Sequence, residues 1–225
     1  DTTLQRILQL IDAISRRASY LSLLLEYPQT LQRLASLYSS SAWVSDYLSR
    51  HPILLDELLD ARVLYATPDW PQLAAQLEQQ LAECHGDVEA QMDALRHFQH
   101  AQTFRLVAQD LAGMWTLDAL SDELSRLADL VLDVTVRHAW LDIPKRHRDS
   151  PLFAVVGYGK LGGKELGYAS DLDVIFLYDD AHPDAADLYS RLARKIITWL
   201  TSTTSAGVLY DIDIRLRPDG ASGLL

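Results

Sequence analysis

Residues 152–178 combine two apolar segments, a cluster of glycines and two acidic residues in the sequence LFAVVGYGKLGGKELGYASDLDVIFLY. The continuous apolar run at residues 152–157 predicts one strand, and the run rich in Val, Ile, Phe and Tyr at residues 172–178 predicts a second. Further along, apolar spacing predicts a helix over residues 184–201 that packs on the sheet, and alternation predicts a third strand over residues 208–216. This order of elements indicates a compact α/β unit.

Residues 1–142 have a different pattern, because apolar residues recur there at the three- and four-residue steps of amphipathic helices. The segment IPKRHRDSP, residues 143–151, interrupts the pattern with two prolines and a short basic run. We predict a helical domain over residues 1–142, a linker over residues 143–151 and an α/β domain over residues 152–225, which together make an α+β fold. The basic run is more typical of a solvated linker than of a phosphate-binding patch.

The composition excludes several classes of protein. Lys and Arg number 20 against 31 Asp and Glu, and the net charge of −11 disfavours proteins that bind nucleic acids or membrane surfaces electrostatically. A single cysteine, Cys84, excludes an internal disulfide and a thiolate-rich zinc site. No apolar run approaches the roughly 18 residues that a membrane-spanning helix needs. We therefore expect a globular cytoplasmic protein that binds neither nucleic acid nor membrane.

The glycines between the two predicted strands fit the pattern G-x-G-x-x-G, with Gly157, Gly159 and Gly162 at the fixed positions. After a strand, this pattern is typical of dinucleotide-binding sites, which require a crossover helix. Only residues 163–170 separate the motif from the second strand, whereas a crossover helix needs about 10 to 12 residues. The spacing therefore favours a short turn that holds phosphate groups.

Two acidic residues, Asp171 and Asp173, begin the second predicted strand at positions i and i+2, so they point to the same face. Two like charges at this distance repel, and a divalent cation such as Mg²⁺ compensates them because it binds carboxylate and phosphate oxygens. The sequence DIDIRLRP at residues 211–218 adds further acids and two arginines. An isolated Asp-x-Asp is more typical of surface charge at a strand edge, but this combination favours two-metal phosphoryl or nucleotidyl transfer.

The distance from the glycine turn to Asp171 and Asp173 resembles that of the DNA polymerase β-like nucleotidyltransferases, with Lys160 at the position of their serine. More narrowly, residues 156–176 together with residues 213–218 resemble the glutamine synthetase adenylyltransferases of bacteria. Enzymes of that family attach AMP to glutamine synthetase, and so regulate nitrogen assimilation, while a second, homologous half removes it. The sequences GYGK and LGYASDLD resemble the adenylylating, C-terminal half more closely.

The resemblance implies that Asp171 and Asp173 hold two Mg²⁺ ions, for which Mn²⁺ can substitute, and that Asp213 holds the ion that activates a tyrosine hydroxyl. This hydroxyl would attack the α-phosphorus of ATP, and pyrophosphate would leave. The residues implied to bind the triphosphate are Gly157, Gly159, Lys160, Ser170, Arg215 and Arg217. Two alternatives stay open, since Ser170 would otherwise cap the strand and the arginines would otherwise pair with Asp211.

The same resemblance implies glutamine synthetase as the protein substrate, with a PII-type signalling protein and glutamine as effectors. Two other functions remain open: phosphorolytic removal of AMP from modified glutamine synthetase by the same acids, and partner binding by a catalytically inert fragment. Enzymes of the family are much longer, and Leu225 follows Pro218 by seven residues. We therefore expect a fragment with a nucleotidyltransferase domain truncated at its C-terminus and a small mixed sheet.

Overall fold

The structure is a computed structural model that describes residues 2–15 and 18–214. Helices make up most of the chain before residue 142. Their bounds are α1 Thr2–Ile14, α2 Ala18–Glu26, α3 Pro28–Ser40, α4 Ala42–Arg50, a 3₁₀ helix Pro52–Leu58, α5 Ala61–Leu64, α6 Trp70–Glu83, α7 Val88–Leu111 and α8 Leu117–Leu141. Within the described ranges, no helix is both long and apolar enough to cross a bilayer.

The described chain divides into two compact units. One contains the described residues up to Asp69 together with His100–Leu120, and the other contains Trp70–Gln99 together with the residues from Ser121 onward. Helix α6, the first half of α7 and most of α8 thus group with the sheet, although they precede residue 142. The domain boundaries inferred from the sequence pattern stay a prediction, because a compact group of residues does not by itself define a domain.

The sheet belongs to the second unit and, in the described residues, has three strands in the order β1-β2-β3. Strand β1, Phe153–Gly157, pairs antiparallel with β2, Leu172–Tyr178, and β2 pairs parallel with β3, Ile212–Asp213. A short helical turn, α9, follows β1 at Gly159–Gly162. The predominance of helix beside a small mixed sheet confirms the predicted α+β class.

The third strand begins later than predicted, because in the described part of the predicted range 208–216 the residues that pair with β2 are Ile212–Asp213. Residues 215 and 216 of that range lie outside the described residues. The cause lies just upstream. The backbone N–H groups of Leu209 and Tyr210 both donate to the carbonyl of Leu200, at 3.1 Å each, and so these residues do not extend the ladder. At Leu209 and Tyr210 the alternation of residue types therefore predicted a strand where the chain is instead attached to the end of a helix.

Helix α10, Ala185–Thr201, agrees with the predicted helix and buries an apolar stripe. Its Tyr189 packs on the sheet, with its ring stacked on that of Tyr178 of β2 at a centroid distance of 4.8 Å. The Tyr189 hydroxyl also accepts a hydrogen bond from the backbone N–H of Leu152, at 2.9 Å. These contacts fix α10 against the strand end that lies opposite the acidic residues.

The segment predicted as a linker makes specific contacts within the second unit. Trp140 donates its indole N–H to the carbonyl of Arg148, and Nε2 of His147 lies 2.8 Å from Oδ2 of Asp180. The His182 N–H and the Tyr189 hydroxyl also donate to the Asp180 carboxylate, at 3.0 and 2.8 Å. The His182 N–H contributes most to holding the pKa of Asp180 well below its ordinary value, and the charged carboxylate therefore anchors this basic segment.

Candidate functional site

Asp173 and Asp213 lie side by side on neighbouring parallel strands, as register partners of the β2–β3 pairing. The backbone N–H of Leu172 donates to the carbonyl of Asp211 at 2.9 Å and so fixes this register. Leu172 and Val174 are buried, and the alternation of side chains along a strand therefore places Asp173 on the opposite face of β2. The fold thus brings together two of the three carboxylates that the sequence singled out.

Asp171 directly precedes β2 and its side chain is exposed, whereas Asp173 and Asp213 are half-buried. No three His, Cys, Asp or Glu side chains within residues 2–15 and 18–214 lie close enough together to hold a metal ion. The structure therefore shows a pair of carboxylates, and the predicted three-ligand site stays a prediction. The donor chemistry fits Mg²⁺, since Asp173 and Asp213 offer only carboxylate oxygens, which are hard ligands.

The glycine motif forms the short turn that its length predicts, with no crossover helix. The backbone N–H of Tyr158 donates to the carbonyl of Asp173 at 2.8 Å, which continues the antiparallel pairing of β1 and β2 by one residue. The chain then makes the single helical turn α9, in which the Gly162 N–H donates to the Tyr158 carbonyl at 2.9 Å and Leu161 is buried. This turn holds the glycines directly beside the start of β2.

Two glycines of the motif have no room for a side chain. Gly159 has a φ of +50°, and a Cβ atom there would lie 2.2 Å from Oδ2 of Asp173. A Cβ atom on Gly162 would lie 2.6 Å from the carbonyl oxygen of Gly157. Both distances are far below contact distance, so the G-x-G-x-x-G spacing serves close packing of the turn against Asp173 and against its own strand.

The remaining predicted phosphate ligands differ in their surroundings. Lys160 is exposed on the turn. The Ser170 hydroxyl oxygen accepts a hydrogen bond from the Gly167 N–H at 2.9 Å, so Ser170 stabilises the turn that leads into Asp171. Its role as a phosphate ligand stays a prediction. The predicted ligands Arg215 and Arg217 lie outside the described residues.

Sequence reasoning missed one functional candidate, Arg96 of α7, whose side chain is completely buried. The sequence around Arg96 contains a pattern that could have indicated this role. Arg96 shares the buried side of the helix with Met92 and Leu95, and a charged residue in such a stripe is rare unless it has partners. Three of its four carbonyl partners, those of Trp199, Ser202 and Gly207, lie in the part of the chain that leads to Asp213.

The chain is similar over its whole length to bacterial enzymes. Three curated relatives share the name bifunctional glutamine synthetase adenylyltransferase/adenylyl-removing enzyme. The relative from Chromobacterium violaceum is 83% identical over 225 residues, that from Neisseria meningitidis serogroup B is 60% identical over 223 residues, and that from Nitrosomonas europaea is 58% identical over 229 residues. These alignments cover 99 to 100% of this chain but 25% of each relative, so the chain spans about a quarter of their length.

A model of the glutamate-ammonia ligase adenylyltransferase family matches residues 31–225, which include the glycine turn, both carboxylates of the pair and the buried Arg96. The sequence resemblance and the observed α+β fold agree with this match. The chain therefore belongs to the glutamate-ammonia ligase adenylyltransferase family.

Proposed function

We propose that this chain transfers AMP from ATP to a tyrosine hydroxyl of glutamine synthetase, with the pair Asp173 and Asp213 at the centre of the site. The observation that carries the proposal is the parallel register of these two carboxylates beside the glycine turn. Half-buried carboxylates opposite each other on adjacent strands repel, and a cation or a substrate proton offsets that cost. Carboxylates in this arrangement could hold the ions that two-metal nucleotidyl transfer uses.

Asp173 and Asp213 would hold Mg²⁺, or Mn²⁺ in its place, and Asp171 would join them as the third carboxylate. When bound, the cation neutralises charge on the attacking and leaving oxygens. In the reaction, the tyrosine oxygen forms a bond to the α-phosphorus of ATP, the bond from that phosphorus to the pyrophosphate oxygen breaks, and the tyrosine proton passes to solvent. Asp213 would orient the hydroxyl, while the exposed Lys160 would attract the triphosphate.

The second candidate is the removal of AMP by phosphorolysis. Phosphate attacks the AMP group on modified glutamine synthetase, and ADP is released. The names of the relatives favour keeping it, because those enzymes carry both activities. The chain spans a quarter of their length, and the two reactions would use the same acids. The motif GYGK followed by LGYASDLD is what favours adenylylation here, since it resembles the adenylylating half.

The test mixes the chain with glutamine synthetase, Mg²⁺ and ATP labelled at the α-phosphate. We expect label on glutamine synthetase, and we expect Asp173→Asn and Asp213→Asn to abolish it. Asp179→Asn is the matched control, because Asp179 is an exposed acid just beyond the other end of β2. Release of ADP from adenylylated glutamine synthetase only with added phosphate supports the second candidate, and binding without either activity supports an inert fragment.

Regulation by a PII-type protein and by glutamine rests on the family resemblance. Each would be added in turn to the labelling assay with the wild-type chain. A change in the rate of label incorporation supports an effector site within these 225 residues. If the rate is unchanged although the chain binds glutamine synthetase, that regulation belongs to other parts of the longer relatives.

A further inference from the structure

One side of α7 contacts the segment that joins α10 to β3. Asp93, Arg96 and Gln99 lie at three-residue steps and thus on one side of the helix. All three interact with residues between Trp199 and Tyr210. Since β3 begins two residues after Tyr210, this side of α7 contacts the chain directly before the strand that carries Asp213.

Arg96 attaches the end of α10 to α7. Its guanidinium group donates to four backbone carbonyl oxygens, which belong to Met92 (2.8 Å), Trp199 (2.9 Å), Ser202 (2.6 Å) and Gly207 (2.8 Å). Trp199 is in the last turn of α10, where carbonyl groups lack partners within the helix, and a cation there opposes the negative end of the helix dipole. The bond to Gly207 reaches across to the far side of the loop.

Asp93 holds the tip of the same loop. Its Oδ2 atom accepts a hydrogen bond from the Ser205 hydroxyl at 2.7 Å, across 112 residues of sequence. Burial alone would raise the pKa of Asp93, but the polar groups of residues 204–206 keep that pKa below its ordinary value. The charged form of Asp93 is therefore favoured by the loop that it holds.

The loop itself is a tight turn. Thr204 and Gly207 exchange backbone hydrogen bonds of 3.0 and 3.1 Å, and Gly207 has a φ of +104°. Tyr210 continues the attachment to α7, because its hydroxyl hydrogen-bonds the buried Gln99 side chain. From Trp199 to Tyr210 the chain is thus fixed at its beginning, its tip and its end.

We propose that Arg96 and Asp93 are positioning residues for Asp213, which they hold opposite Asp173 by fixing the segment between α10 and β3. Five residues stand between Gly207 and Asp213, and the pairing of β3 with β2 covers two residues of the described chain. The point at which the chain joins this ladder therefore depends on the attachments upstream of it. The catalytic consequence rests on the proposed nucleotidyl transfer, whereas the attachment itself does not.

The first experiment measures backbone amide exchange by mass spectrometry in the 225-residue chain, for wild type and for Arg96→Lys, Asp93→Asn and Ser205→Ala. Arg33→Lys is the matched control, because Arg33 also donates to backbone carbonyls, those of Leu58 and Leu59, in the other unit. We expect exchange in peptides covering residues 204–214 to rise about tenfold in Arg96→Lys and less in Ser205→Ala, while peptides of β1 stay unchanged.

The proposal is overturned if exchange over residues 204–214 is the same in wild type, Asp93→Asn and Ser205→Ala. If Arg96→Lys does not fold, the result for Ser205→Ala tests the proposal alone. Ser205 is exposed, so removal of its hydroxyl group leaves the core intact. A uniform rise in every peptide of Ser205→Ala also overturns the proposal, since it indicates general stability and not local positioning.

The second experiment measures AMP transfer with the same variants. We expect kcat to fall about tenfold in Arg96→Lys with KM for ATP within about twofold, because the variant misplaces a carboxylate without removing a triphosphate ligand. Faster local exchange with unchanged kcat shows an attachment that does not position Asp213, which overturns the catalytic part. An inactive wild-type chain counts against the proposed function, and the exchange experiment then still decides the attachment.

Discussion

Gly159 lies against the carboxylate of Asp173, so closely that a Cβ atom on the glycine would be 2.2 Å from Oδ2. The contact joins the two halves of the motif, since the glycine turn follows β1 and Asp173 is the second residue of β2. The backbone of Gly159 also has a φ of +50°, which L-amino acids with side chains rarely adopt. The turn and the acidic strand therefore specify each other's positions.

This contact predicts the effect of Gly159→Ala. The methyl group must displace the Asp173 carboxylate, and the backbone strain adds a cost of about 1–3 kcal/mol in unfolding free energy. Because misplacement of a reacting group by about 1 Å can cost about 100-fold, we expect AMP transfer to fall by about that factor. Urea denaturation and the labelling assay measure the two effects.

Variants of two other glycines separate the effect of backbone strain from that of a displaced Asp173 carboxylate. Gly86 has a φ of +88° with open space around it, so Gly86→Ala introduces backbone strain without contacting Asp173 or Asp213 and is expected to keep full activity. Gly167→Ala adds a methyl group only at van der Waals distance, 3.6 Å from the Ser170 hydroxyl oxygen. Activity losses of equal size in Gly159→Ala and Gly86→Ala would contradict a specific role for the Gly159–Asp173 contact.

Lys160 gives a prediction about substrate binding. Its side chain is exposed on the glycine turn, so Lys160→Ala should leave the unfolding temperature unchanged. As a point charge for the triphosphate, its loss should raise KM for ATP about tenfold, which corresponds to about 1.4 kcal/mol. Steady-state kinetics check this, with Lys164→Ala as the control that removes one positive charge from the same loop. Equal KM values for the two variants would refute a specific contact by Lys160.

The strands and the turn of the site were predictable because their signals are local. The apolar composition of residues 172–178 specified β2 with the bounds that the structure has, and the eight residues after the motif excluded a crossover helix. The position of β3 was not predictable in the same way. Its start depends on hydrogen bonds from Leu209 and Tyr210 to the end of α10, and no alternation of residue types encodes such a contact.

The long-range partners of charged residues were also beyond sequence reasoning. Arg96 and Gly207 are 111 positions apart, and the partners of the arginine are carbonyl groups, which every residue carries. Likewise, the basic segment at residues 143–151 looks solvated by composition, yet its His147 and Arg148 contact Asp180. Sequence composition indicates that such charges exist, whereas burial and hydrogen bonding depend on the assembled unit.

Asp180 makes stability depend on pH. Hydrogen bonds, foremost from the His182 N–H, hold its pKa below the ordinary value, so the folded state binds this proton less readily than the unfolded state. The stabilisation is therefore complete above the unfolded pKa, about 4, and is lost as the pH falls further toward the folded pKa. We expect wild type to be more stable than Asp180→Asn near neutral pH and the difference to shrink below about pH 4.

Thermal unfolding across this pH range measures the difference. Asp179→Asn serves as the control, because Asp179 is exposed and precedes Asp180 directly. A constant difference between wild type and Asp180→Asn down to the lowest pH would mean that the charge of Asp180 does not stabilise the basic segment.

Mg²⁺ should stabilise the folded chain. Measuring this stabilisation in variants of the acidic residues shows how many carboxylates hold the ion. An ion that binds only the folded state adds about 2.7 kcal/mol to the unfolding free energy when its concentration is 100 times Kd. Asp173→Asn and Asp213→Asn should abolish that gain, which urea denaturation with Mg²⁺ and with a chelator measures directly. Asp179→Asn should retain it in full. If Asp171→Asn also retains it, the ion is held by the pair on β2 and β3 and the three-carboxylate prediction is wrong. If Mg²⁺ leaves the wild-type chain no more stable than the chelator does, the pair holds no ion without ATP.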